Sequence, residues 1–157
     1  MGERMNSQIV IQYRIVSPYA SSEFLPKPQT EGAAGADLYA CLPEPLLLQP
    51  QQRVRIPTGI AIEMPDNNCV GLIFARSGHA WRYGLGLPNG VGVIDSDYRG
   101  ELQVLLQNFG DQPVSIQSGD RVAQIVFLPI FHAHWVLSAS LSPTERGKGG
   151  FGSTGES

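Results

Sequence analysis

Residues 90–102 read GVGVIDSDYRGEL, and this stretch decides the class of fold. Val91, Val93 and Ile94 supply the apolar side chains of a strand, after which Asp95, Ser96 and Asp97 set two carboxylates at a tip. Tyr98, Arg99 and Gly100 turn the chain, and Leu102, Val104 and Leu106 alternate with Gln103 and Gln107 as a returning strand. A hairpin tip needs only Gly, Asn or Asp to turn, so the plain reading is a solvated turn with two exposed acids. The chemical reading is that an aromatic ring and a strand-end carboxylate share one rigid ladder. Such a ladder aligns a base, a ring platform and a water with little loss of entropy. On this stretch alone both readings stand.

Outward from it, short strand-like runs recur at 8–16, 36–42, 54–64, 69–74, 102–109 and 121–131. Alternation of period two is clear in residues 59–64 (GIAIEM) and 114–116 (VSI). Turn signals separate the runs, among them Pro65-Asp66-Asn67-Asn68, Pro88-Asn89-Gly90 and Ser118-Gly119-Asp120. Twelve prolines and eighteen glycines, spread along the chain, leave no room for long helices. The pattern predicts an all-β sandwich or barrel with one short helix at 77–83, capped by Ser77.

The bulk numbers narrow the classes. A chain of 157 residues fits one domain with a real core. The net charge is −3 and no basic run occurs, which disfavours nucleic-acid binding through a positive stripe. No 18-residue apolar stretch is present to span a membrane, and residues 1–8 (MGERMNSQ) carry no apolar export signal. Cys41 and Cys69 lack metal-type spacing and cannot make a disulfide framework, so both read as buried small hydrophobes of a cytoplasmic protein. His132 and His134 share a face if their segment is a strand, but two histidines alone make a poor metal site.

From Ser138 the composition changes. Gly147, Gly149, Gly150, Gly152 and Gly155 crowd a segment that also holds Arg146, Lys148, Phe151, Ser153 and Thr154. So much glycine cannot hold a packed element, and the division expected is a β domain over 1–137 and a mobile arm over 138–157. Glycine-rich backbone with cations and hydroxyls can also wrap phosphates, although the Walker spacing is absent.

Five blocks, taken in order, resemble the trimeric deoxyuridine triphosphatase (dUTPase) family. They are Ala34 to Ala40 (AGADLYA), Ala75-Arg76-Ser77-Gly78, Asn89 to Glu101, Gly119 to Gln124 (GDRVAQ) and Arg146 to Gly155 (RGKGGFGSTG). The resemblance implies a jelly-roll-like β fold, a homotrimer with sites shared between subunits, Mg²⁺, and hydrolysis of dUTP to dUMP and pyrophosphate by water attack at the α-phosphorus. Two positions depart from the family pattern: Ala75 stands where proline is usual, and His79 where Leu or Met is usual.

Roles follow from the resemblance, each with a chemical reason. Asp95 is implied to orient and deprotonate the attacking water; an ordinary aspartate, with a pKa of about 3.9, is a weak base, so positioning must carry most of the acceleration. Arg76 and Arg146 are implied to offset the phosphates, for which the planar guanidinium fork is suited. Ser77, Gly78 and Gln124 resemble donors to the inner phosphates, and Ser153 and Thr154, beside Gly152, donors to the terminal one. Asn89, the main chain at Gly92, Val93 and Ile94, and Gln103 are implied to read the uracil edge. Tyr98 resembles the ring under the deoxyribose, Phe151 the ring that closes over uracil, and Asp37 an acid that supports the metal through water. Plainer readings also exist, with Arg76 paired to a surface acid and Gln124 satisfying a strand edge.

Two other functions share this scaffold: deamination of dCTP, and nucleotide binding without turnover. The Asp97-Tyr98-Arg99-Gly100 turn and the complete fifth block favour dUTP hydrolysis over the first, and retention of Asp95 over the second.

Overall fold

The computed structural model describes residues 8–150. Among these residues ten strands, all paired antiparallel, make two four-stranded sheets and one two-stranded ribbon, the all-β, jelly-roll-like architecture expected. The first sheet is ordered β1 (Gln12–Ile15), β4 (Arg53–Glu63), β8 (Glu101–Asn108) and β6 (Leu85–Gly86). The second is ordered β2 (Ala36–Tyr39), β10 (Arg121–Pro129), β5 (Cys69–Phe74) and β7 (Gly92–Ile94), and β3 (Leu46–Leu48) pairs with β9 (Val114–Ile116).

Alternation drives the packing. In β8, Leu102, Val104, Leu106 and Asn108 are buried while Gln103 and Leu105 are exposed, so one strand face enters the core and the other faces outward. Leu38, Ile56, Ile60, Ile73, Val122 and Ile125 meet that face to form the core. Asn108 is the polar member, and its amide is fully used. Nδ2 donates to the carbonyls of Leu48 (3.1 Å) and Gln112 (2.7 Å), and Oδ1 accepts from Gly110 N–H (2.9 Å).

The helix α1 (Ser77–Tyr83) lies where the sequence predicts it, but its cap differs. Arg76 is the N-cap and makes no side-chain capping bond, while Ser77 is already the first helical residue. The Arg76 side chain is drawn elsewhere, as described below. Gly84 ends α1 at φ +66, and a β-carbon there would stand 2.6 Å from Gly110 N, so both conformation and space require glycine.

Two expectations are corrected, and one strand appears where the sequence reading held no expectation. The strand predicted over 121–131 ends at Pro129, so His132 and His134 do not share a strand face; His132 Nε2 instead lies 2.7 Å from the Asn67 carbonyl. Residues 46–48, with no period to read, form β3. The two runs around Asp95 are not a hydrogen-bonded hairpin: β7 pairs with β5, and β8 with β4 and β6. The chain between them crosses from one sheet to the other. Cys41 and Cys69 are buried and free, as expected.

Candidate active site

The failed hairpin makes a cleft. On the side facing β7, β8 is paired only at its far end, Leu85 with Asn108 and Gly86 with Gln107. Before that point the two strands diverge, and a pocket of about 140 Å³ opens between them. Its walls include Asn89, Gly92, Val93, Ile94 and Gln103, with Ile73 and Leu87 at the base. Backbone N–H and C=O groups that no ladder uses are the donors and acceptors able to read a flat polar ring edge. Gly92 sits against β5, where a β-carbon would lie 3.1 Å from Ile73 Cβ.

Asp95 follows Ile94, the last residue of β7 and of this wall of the cleft, and is exposed. Its carbonyl accepts from Tyr98 N–H (3.1 Å), which closes the turn. Arg99 clamps that turn from outside. Its Nη1 donates to the Ser96 and Tyr98 carbonyls (2.7 and 3.2 Å), and its Nη2 lies 3.3 Å from Glu63 Oε1 on β4. The Tyr98 hydroxyl donates to Glu101 O (3.0 Å), laying the ring along the turn.

A second cleft, of about 440 Å³, is lined by Gly35, Asp37, Arg76, Ser77, Gly78 and Gln124 among others. Antiparallel register brings its parts together: Gln124 of β10 stands between Asp37 of β2 and Phe74 of β5. Gln124 Nε2 donates to the Ala75 carbonyl (3.1 Å), fixing the strand end that leads into Arg76. Arg76 Nε meets Asp37 Oδ1 at 3.1 Å, and Arg121 Nη1 meets Asp37 Oδ2 at 3.3 Å. The acid that Arg76 finds is therefore a buried one shared with a second arginine, not a surface acid. At the start of α1 the first bonds run from His79 and Ala80 N–H to the Arg76 carbonyl, which leaves the Ser77 and Gly78 amides uncommitted to the helix.

His79 touches Arg76 as well, with Nε2 3.2 Å from Arg76 Nη1. Guanidinium only donates, so this nitrogen carries the lone pair and Nδ1 carries the proton. Nδ1 is buried with no partner among the described residues, a loss of about 1–3 kcal/mol for an unmet donor. Burial lowers the imidazole pKa from its usual range, and the charges of Arg76, Arg121 and Arg82 push the same way against Asp120.

The two clefts do not face one another. Ile73 lines the first and Phe74 the second, and successive residues of a strand point to opposite faces. Arg146 Nε donates to the Gly149 carbonyl (3.2 Å), within its own segment. Phe151, Gly152, Ser153 and Thr154 lie outside the described residues. Arg121 and His79 had no role in the sequence reading. The i, i+3 spacing of Arg76 and His79 on a helix was an available signal, whereas nothing local ties Arg121 to Asp37 across 84 positions.

A family model for dUTPase matches residues 22–155. The chain belongs to the dUTPase family. A deoxyuridine 5'-triphosphate nucleotidohydrolase of Desulfitobacterium hafniense is 55% identical over 133 residues, covering 85% of this chain and 88% of the relative. One from Coxiella burnetii is 46% identical over 147 residues, covering 93% and 97%. Among solved structures, a mutant dUTPase of Staphylococcus bacteriophage 80alpha with dUpNHpp superposes at a TM-score of 0.83 and 26% identity, covering 94% of this chain and 99% of that one. A phage phi11 dUTPase, described as coordinating a structural Mg(II) ion, superposes at 0.75 with 24% identity over 85% of this chain and 99% of that one, a likeness of fold. For this dUTPase-family chain the two clefts are the places to seek the nucleotide.

Proposed function

We propose that the protein hydrolyses dUTP to dUMP and pyrophosphate in the cytoplasm, by water attack at the α-phosphorus, keeping uracil out of DNA and supplying dUMP. The observation that carries this reading is the open cleft between β7 and β8, with the exposed Asp95 next in the chain after the β7 residues that line it. Uracil offers an acceptor–donor–acceptor edge to the backbone groups of Gly92 to Ile94 on the edge of β7 away from β5, with Asn89 and Gln103 also lining the cleft. Cytosine would set donor against donor there, at about 1–3 kcal/mol for each unmet group. Tyr98 lies under the deoxyribose and leaves no room for a 2′-hydroxyl. Asp95 aims the water and takes its proton, and most of the acceleration comes from in-line placement.

Arg76, Ser77, Gly78 and Gln124 bind the inner phosphates; Arg146, with Gly152, Ser153 and Thr154, binds the outer ones, and Phe151 covers the base. The clefts face apart in one chain, which supports a homotrimer whose sites combine elements of different subunits. Exposed Phe131, Trp135, Val136, Leu137 and Leu141, on a segment without strands or helices, supply apolar surface for a neighbouring subunit to cover.

Mg²⁺ fits this donor set as an ion carried mainly by the triphosphate. No group of three or more His, Cys, Asp or Glu gathers among the described residues, and Mg²⁺ keeps its waters and leans on phosphates. Each Asp37 oxygen spends one lone pair on an arginine and has another for a metal-bound water. The ion would neutralise charge developing on the leaving pyrophosphate.

Pyrophosphate release from dUTP, compared with dTTP, dCTP and UTP with and without Mg²⁺, tests the reading. Release from dUTP alone supports it. Ammonia from dCTP without pyrophosphate from dUTP overturns it.

A further inference from the structure

Among the described residues Arg76 alone lines both the proposed phosphate cleft and a neighbouring cleft of about 480 Å³, so its side chain forms the wall between them. On the far side of that wall stand His79, Tyr83, Asp120 and Arg121. The guanidinium is held at three points: Nε by Asp37, and Nη1 by the Arg121 carbonyl (3.2 Å) and by His79 Nε2 (3.2 Å). These contacts use Nε–H and both Nη1 hydrogens, and leave the two Nη2 hydrogens for a ligand.

We propose that His79 is a positioning residue for Arg76, whose neutral ring holds the guanidinium for the triphosphate and releases it on protonation. The inference rests on the reading of Arg76 as a phosphate-binding group. Its chemistry is one-sided. A neutral ring with its proton on Nδ1 accepts from Arg76, while a protonated ring presents Nε2–H to a cation 3.2 Å away and cannot accept. The tautomer stands on the Nε2 contact with Arg76, and it leaves the buried Nδ1–H without a partner among the described residues. The charged groups around the ring are Arg76 and Arg82 on its own segment, and Asp120 and Arg121 where the chain enters β10; Tyr83, which also lines this cleft, is titratable but neutral here. Leu85 of β6 and Val114, Ser115 and Ile116 of β9 complete the wall without adding a titratable group. Three arginines against one carboxylate favour the neutral ring, as does its partial burial. The Tyr83 ring packs edge-on, with centroids 5.8 Å apart, and fixes the imidazole plane.

The experiment is steady-state hydrolysis of dUTP from about pH 5 to 8 by wild type, His79→Gln, His79→Leu and Arg76→Ala. Wild-type KM should rise on acidification while kcat follows a separate profile. His79→Gln keeps an acceptor and cannot titrate, so its KM should match wild type at pH 8 and lack the acid rise due to the ring. What rise it retains belongs to the substrate's terminal phosphate, which has its own pKa near 6. His79→Leu should carry a KM about fivefold or more above wild type at pH 8, a fraction of what a charged hydrogen bond contributes. An acid rise in His79→Gln as large as in wild type overturns the proposal, as does a His79→Leu KM equal to wild type at every pH. If Arg76→Ala itself leaves KM unchanged, the phosphate-binding role of Arg76 falls and this proposal with it; a raised KM there with an unaffected His79→Leu removes only the role of His79. Should His79→Leu fail to fold, the imidazole ¹⁵N shifts of wild type decide: the Nδ1–H tautomer at neutral pH is expected, and the Nε2–H tautomer overturns the proposal.

Discussion

The ring of Tyr98 lies so close to Gly100 that a β-carbon on the glycine would stand 2.5 Å from the tyrosine hydroxyl oxygen and 2.6 Å from Cζ. The same hydroxyl donates to Glu101 O, so ring and turn hold each other in place. Gly100→Ala must therefore move the ring. Because Tyr98 is half-exposed and free to swing outward, the change should cost under about 1 kcal/mol of stability. Discrimination should suffer more. Hydrolysis of UTP relative to dUTP is expected to rise in Gly100→Ala, measured as the ratio of kcat/KM values. An unchanged ratio removes the Tyr98 ring from sugar selection.

Asp95 stands at the strand end with its carbonyl in the turn and its side chain in solvent. Replacing it by asparagine keeps shape and turn while removing the carboxylate proposed as the base. Asp95→Asn should lower kcat by about 10²–10⁴-fold, the range for a positioned base, with the affinity for dUTP little altered. Single-turnover kinetics beside equilibrium binding of dUTP separates the two quantities. Equal losses in both would make Asp95 a binding group.

How much of this was legible in sequence follows the range of each interaction. The alternation of β8 and the seven residues of α1 are local, and the sequence shows both. The fate of the run before Asp95 is not local. Val93 and Ile94 look the same whether they pair with β5 or with β8, and the choice rests on contacts with Gly71, Leu72 and Ile73 some twenty positions earlier. For the same reason the sequence named Asp37 and Arg76 separately without showing that they meet, or that Arg121 joins them. The family blocks mark which residues matter and leave their partners to the fold. Ser77 shows the reverse failure: its cap propensity is real, but the chain enters α1 one residue earlier, at Arg76.

Cys69 gives a pH dependence of stability. Burial first, and then the nearby Asp66 carboxylate, push its thiol above the ordinary range. A raised native pKa means the fold favours the protonated thiol. That contribution is complete below the unfolded value of about 8.5 and is lost as pH rises through the native value. Denaturant melts above about pH 8.5 should therefore show wild type losing stability more steeply than Cys69→Ala. Parallel losses would mean that the thiol is not held protonated by the fold.

Asn108 carries the strongest prediction for the scaffold. It is fully buried, and three backbone groups depend on it: the carbonyls of Leu48 and Gln112 and the N–H of Gly110. These tie β8 to β3 and to the loop before β9, closing one end of the sandwich. Asn108→Ala leaves all three without their partner and opens a small void, which should cost about 2–4 kcal/mol. Asn108→Asp is nearly isosteric and is expected to be worse at neutral pH, since a carboxylate would then face two carbonyls and donate to neither. Acidification to about pH 4 should recover part of that loss, because a protonated acid can donate once. Urea midpoints at both pH values, with unchanged slope, measure this. If Asn108→Asp is as stable as wild type at pH 7, the amide does not hold the sheet end in the way its three bonds imply.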